Sequence, residues 1–157
     1  MTATATPDTL FHLLEAAARA PNGASGRVAL AETTIRAREM VPLHAHDEDE
    51  AVRVLDGRLT IYAGADVVPL EAGETYVIRA GTAHTHRADS ERATYLTLSF
   101  VRSAARYEDF ARAVASPVAG WATPEDCATL AAIAAPNRIA ILGPPGALPA
   151  VDENAAA

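Results

Sequence analysis

Hydrophobic and polar positions alternate through the middle of the chain, and that alternation predicts short strands. Residues 27–35 are rich in β-branched side chains, and Val52 and Val54 oppose Arg53 and Leu55 in the same period-two manner. Further runs cover residues 59–62, 67–70, 76–78 and 93–100, separated by turn residues at 63–66, 71–73 and 80–81. Asp56-Gly57 reads as a hairpin turn. Strands of this length and spacing predict an antiparallel sandwich or barrel over residues 27–101.

The flanks change period. Thr6-Pro7-Asp8 combines a hydroxyl cap, a proline at the first helical position and an acid in the first turn. Leu10, Leu13, Leu14 and Ala17 follow at helical spacing until Pro21-Asn22-Gly23, so residues 1–26 are expected to form an N-terminal helical arm. His12 lies near the polar flank of that helix and receives no role. After Val101, Tyr107, Phe110, Ala111 and Val114 mark one helix, and Thr123-Pro124-Glu125-Asp126 starts a second that carries Cys127, Leu130, Ala131 and Ala134. Residues 138–142 read as an edge strand or as an apolar tail on the barrel. Residues 102–157 thus form a two-helix C-terminal extension and tail.

Composition narrows the function. Half of the chain is hydrophobic, which supports a packed core. A net charge of −7, with no lysine and no arginine cluster, argues against a nucleic-acid surface. No apolar run approaches the roughly 20 residues that span a bilayer. The first twenty residues lack a basic region and Glu15 breaks their apolar run, so a cytoplasmic protein is expected. Cys127 is the only cysteine, which excludes an intrachain disulfide and a zinc finger.

The candidate chemistry lies in His44-Ala45-His46-Asp47-Glu48-Asp49-Glu50. On a strand, His44 and His46 share a face roughly 7 Å apart. Glu50 has the same parity, but a straight strand would carry it roughly 20 Å from His44. If all three bind one ion, the chain bends at Asp47-Glu48-Asp49. A second stretch, Gly73 to His84, ends in a third histidine after a turn at Ala80-Gly81.

These two stretches resemble the paired motifs of the cupin superfamily, G-x5-H-x-H-x3-4-E-x6-G and G-x5-P-x-G-x2-H-x3-N. His44, His46, Glu50 and Gly57 match the first motif, and Gly73, Gly81 and His84 match the second. Arg38 stands where the first motif has its leading glycine, Arg79 replaces the proline and Ala88 the asparagine. The resemblance covers about residues 27–101 and implies an all-β jelly-roll barrel with a metal held by His44, His46, Glu50 and His84. An N3O donor set suits one divalent transition metal: Fe, Mn, Ni, Co, Cu or Zn. An isolated HxH is more often a polar surface feature, but the further matches shift the reading to metal binding.

His86 shares the parity of His84. It either faces the interior as a proton shuttle or substrate donor, or turns outward into solvent. Tyr62 and Tyr76 read as core, Glu48 as a solvated loop carboxylate, and Arg79 as a turn cap or an anion contact. The C-terminal helices with Trp121 either pack on the barrel or cover its cavity. The resemblance implies a metal-dependent enzyme on a small organic substrate, specifically a quercetinase-like dioxygenase with Glu50 as ligand and base. A metal-assisted cyclase or isomerase and a non-enzymatic ligand-binding cupin are the alternatives. A homodimer is expected, because many cupins pair through an apolar sheet face.

Overall fold

The computed structural model describes residues 8–19, 25–101 and 124–150. One sheet runs β1 (Asp8–Arg19), β2 (Ser25–Arg36), β9 (Arg92–Val101), β4 (Glu50–Asp56) and β7 (Thr75–Ile78). The other runs β10 (Ile139–Gly143), β3 (Leu43–His46), β8 (His84–Ala88), β5 (Arg58–Ala63) and β6 (Asp66–Glu71). All pairings are antiparallel, and from β2 to β9 most successive strands lie in opposite sheets. This repeated crossing is the jelly-roll arrangement.

Alternation determines what each strand buries. Val52 and Val54 on β4, Leu59, Ile61 and Ala63 on β5, and Ala93 and Tyr95 on β9 form the core with Ile35 and Ile78. Arg53 and Leu55 face outward, as their parity requires. Pro69 lies on β6, an edge strand, where one lost ladder donor is tolerated. The two-residue turn Gly64-Ala65 closes the β5–β6 hairpin, with Gly64 at φ 57°.

Two local expectations are corrected. The segment expected as an N-terminal helix is strand β1, pairing with β2 from Asp8↔Thr34 to Arg19↔Ser25, with a register shift between Leu14 and Ala18. Its apolar positions permit either period, and the open edge of β2 supplies a ladder that overrides local propensity. Asp56-Gly57 is not a hairpin turn within one sheet. β4 pairs with β7 and β9 while β5 pairs with β6 and β8, so this turn passes the chain between sheets. Gly57, at φ 78°, lies against Arg92 O and Ser90 Oγ, where a side chain has no room.

The helix expected from Tyr107 to Val114, and Trp121, lie outside the described residues. The second expected C-terminal helix is α1 (Pro124–Ala134), with Leu130 and Ala134 buried. It leads through the 3-10 turn Ala135–Asn137 into β10, which settles residues 138–142 as an edge strand. Among the described residues, no helix is long and apolar enough to cross a membrane.

Candidate metal centre

β3 and β8 place three histidines together. His44 pairs directly with His84 across the two strands, and His46 follows two residues along β3. The ring centroids of His44 and His84 are 4.2 Å apart, and those of His46 and His84 are 5.0 Å apart. β10 closes the outer edge of β3, with Ile139 opposite His46 and Ile141 opposite His44.

Glu50 reaches these histidines because the chain changes sheet between His46 and Glu50. Asp47-Glu48-Asp49 makes that crossing, and it is the bend that a common ion demands. Asp49 fixes it: its Oδ1 accepts the Ala80 N–H at 2.9 Å, and its Oδ2 meets Arg79 Nη1 at 3.1 Å. Gly81 N–H donates to His46 O at 2.7 Å, which ties the second motif's turn to the end of β3. Arg79 therefore anchors the loop at the turn and takes the turn-capping alternative. Glu48 is not a fully solvated carboxylate: it is half-buried, with Oε2 3.8 Å from His46 Nδ1. The short loop folds it back toward the ring.

Glu50 enters at the start of β4, between Ile78 on β7 and Ser99 on β9. It is buried, with Oε2 3.3 Å from His46 Nε2 and accepting from Ser99 Oγ at 3.3 Å. Its Oε1 lies 3.9 Å from His84 Nε2 and 3.8 Å from His86 Nε2. His86 thus turns inward, 2% exposed, and its ring stands perpendicular to the buried Tyr95 at 5.2 Å. Tyr95 and Ser99 join the surroundings of the site only through the β4–β9 register. Tyr62 and Tyr76 do not: Arg87 lies over the Tyr62 ring, and Tyr76 donates to Asp66 at 2.9 Å.

The fit to a metal rests on which nitrogens are free. The Nδ1 atoms of His44, His46 and His84 lie 2.8, 2.9 and 2.8 Å from the carbonyl oxygens of Pro42, Glu48 and Thr82. A carbonyl only accepts, so each Nδ1 carries the proton and each Nε2 keeps its lone pair. Anchoring of this kind orients histidine ligands in metal sites. Among the described residues, the Nε2 atoms of His46 and His84 and Oε1 of Glu50 are buried without a hydrogen-bond partner. A cation supplies what these atoms lack.

Electrostatics agree. Burial pushes His44 below its ordinary value, and drives His84 down to about 3 and His86 to about 4, so all three are neutral near pH 7. Burial also acts against charge on His46, but contact with Glu50 and the charge of Glu48 outweigh it and raise that ring. For Glu50, burial favours the neutral acid, yet the contact with His46 and the neighbouring imidazoles hold it well below the carboxylate range. His44, His84 and His86 are thus offered as neutral imidazoles beside an ionised carboxylate, the protonation states that metal binding requires, while an ion at His46 would displace the proton that Glu50 favours there.

A jelly roll with a His–Glu cluster able to hold a metal ion at its interior defines a class of protein. Residues 31–100 match the Cupin domain family, so that stretch of the chain is a cupin domain. A conserved protein of unknown function from Streptococcus pyogenes has a similar structure, with TM-score 0.51 and 15% identity over 63% of this chain and 77% of its own. Salicylate 1,2-dioxygenase from Pseudaminobacter salicylatoxidans is similar at TM-score 0.44 and 14% identity, over 46% of this chain and 20% of its own. The DMSP lyase DddQ from Ruegeria pomeroyi follows at TM-score 0.45 and 20% identity, over 49% and 40%. At such identities the likeness concerns the fold. No curated protein sequence matches the chain.

Proposed function

We propose that this chain is a metal-dependent cupin enzyme acting on a small organic substrate, with quercetinase-like dioxygenase chemistry as the specific reading. One observation carries it: three carbonyl-anchored histidines converge on a buried glutamate, and His46 Nε2, His84 Nε2 and Glu50 Oε1 have no hydrogen-bond partner among the described residues. His44, His46, Glu50 and His84 would hold the ion. A bound divalent ion supplies Lewis acidity to an enol or carbonyl oxygen.

The chain's own residues supply the rest. Ser99 holds Oε2 of Glu50, and Oε1 would take a substrate proton when the carboxylate leaves the ion. The apolar interior around Ile78, Val52 and Tyr95 keeps water from competing for that proton. Because Glu50 moves a proton without help from oxygen, it equally supports an isomerase or cyclase, the second reading. A non-enzymatic ligand-binding cupin is the third.

Metal analysis of protein purified without chelator should give about one divalent ion per chain. A screen of aromatic and enol substrates with and without O2 then separates the readings. Turnover that requires O2 supports the dioxygenase, and oxygen-independent turnover the isomerase or cyclase. Tight ligand binding without turnover supports the binding protein. Undiminished metal content in the His44→Ala, His84→Ala double variant would place the metal elsewhere.

A further inference from the structure

We infer that His86 is a fifth protein ligand of the same ion, alongside Glu50 and His84. The inference rests on the metal-binding reading above and extends it beyond the four residues of the sequence motifs.

His86 differs from the other three histidines. Each of those anchors Nδ1 on a backbone carbonyl, whereas both ring nitrogens of His86 are buried with no hydrogen-bond partner among the described residues. Leaving a buried polar atom unsatisfied costs roughly 1–3 kcal/mol. The strand itself cannot turn His86 to the outer face to relieve this. Thr85, on the opposite face of β8, donates to Val41 O at 2.6 Å, and Val41 N–H donates to His86 O at 3.2 Å. The strand is held with His86 pointing inward.

What faces His86 is also unsatisfied. Its Nε2 lies 3.8 Å from Glu50 Oε1, beyond hydrogen-bond range, so a proton on Nε2 does not explain the approach. His84 Nε2 stands 3.9 Å from that oxygen. Ligand atoms of Glu50, His84 and His86 all lie within 4.8 Å of one another, as do those of His44, His46 and His84. Two triads therefore share His84. Buried lone pairs of Glu50 and His84 that converge without a hydrogen-bond donor are costly until a cation enters. His86 lies as close to Glu50 Oε1 as His84 does, at 3.8 against 3.9 Å.

The consequence is chemical. Five protein donors leave one position on a six-coordinate ion, where four leave two. A substrate then meets the ion through a single oxygen, and His86 acts as a ligand in place of the proton carrier its sequence position suggests.

The test is to load the full chain with Cu(II) and count coordinated imidazoles by pulsed electron paramagnetic resonance. Four are expected in the wild type and three in His86→Gln, with metal affinity in chelator competition falling ~10-fold or more. His44→Gln should also give three, which calibrates the count. Three imidazoles in the wild type, unchanged in His86→Gln, would overturn the proposal and return His86 to the proton-carrying role. Should His86→Gln fail to fold, the wild-type count decides alone. A wild-type chain that takes up no metal refutes the underlying metal reading together with this proposal, and is a different outcome from three imidazoles.

Discussion

Glu50 occupies a position from which one carboxylate can serve an ion and a substrate proton in turn. One oxygen is held by Ser99 and the other has no hydrogen-bond partner. Glu50→Gln keeps an oxygen for the ion but removes the base, so it should retain much of the metal and lose turnover by on the order of 10²–10⁴-fold. Glu91→Gln, exposed on the β8–β9 turn, is the control. Full activity in Glu50→Gln at matched metal content would reduce the carboxylate to a ligand. Arg38 carries a different lesson. It stands where the cupin motif has its leading glycine, and it keeps that glycine's backbone, at φ 66°. The left-handed region costs an L-residue roughly 1–2 kcal/mol, partly offset by the unfolded-state entropy that glycine would add. Arg38→Gly should therefore raise stability by up to about 1 kcal/mol, read as a higher denaturation midpoint. A lower midpoint would mean that the Arg38 side chain compensates the strain. That His44, His46, Glu50 and His84 converge was legible from residue type and offset alone. Tyr95 and Ser99 were not, because only the long-range pairing of β4 with β9 brings them to Glu50.

Among the elements, the crossing between β3 and β4 matters most for the site. It carries His46 into one sheet and Glu50 into the other within four residues, and its geometry depends on Asp49. Asp49→Ala removes the acceptor for the Ala80 N–H and the partner of Arg79. The fold should survive, since the loop is exposed, but metal affinity should fall by about 10-fold as His46 and Glu50 lose their fixed relation. Asp49→Asn keeps an acceptor oxygen and should fall between. Equal affinity in all three proteins, by competition titration, would show that the ladder alone sets the spacing. The need for a bend here was legible because a straight strand separates the ligands too far. That Asp56-Gly57 makes a second crossing was not, since turn chemistry is alike whether the next strand pairs locally or in the facing sheet. The segment of β1 was misread for a related reason. Its apolar residues fit two periods, and the partner that decides between them lies on β2.

The whole molecule buries its chemistry and leaves apolar surface outside. On the outer face of the sheet that carries Glu50, Leu30 lies opposite Leu98, Leu98 opposite Ala51, and Ala51 opposite Val77. This apolar row crosses four strands, and Leu55 lies on the same outward parity. Leu98 is 40% exposed, Leu55 42% and Val77 48%, more than isolated surface residues of these types require when they stand in a row. We propose that a second copy of the chain covers this face through a two-fold contact, in which the same patch meets itself. Outward parity was legible for Leu55 in the sequence, but the row was not, because it exists only once β7, β4, β9 and β2 are aligned. Light scattering at micromolar concentration should give twice the 16.4 kDa chain mass. Leu98→Arg places a charge at the centre of the row and, by symmetry, sets like charges near each other across the contact. That variant should run as a monomer with its metal content unchanged, because the outer face does not touch the cluster. A wild-type chain with the mass of one copy would leave the row as bare surface. A Leu98→Arg variant that stays dimeric would move the contact to another face.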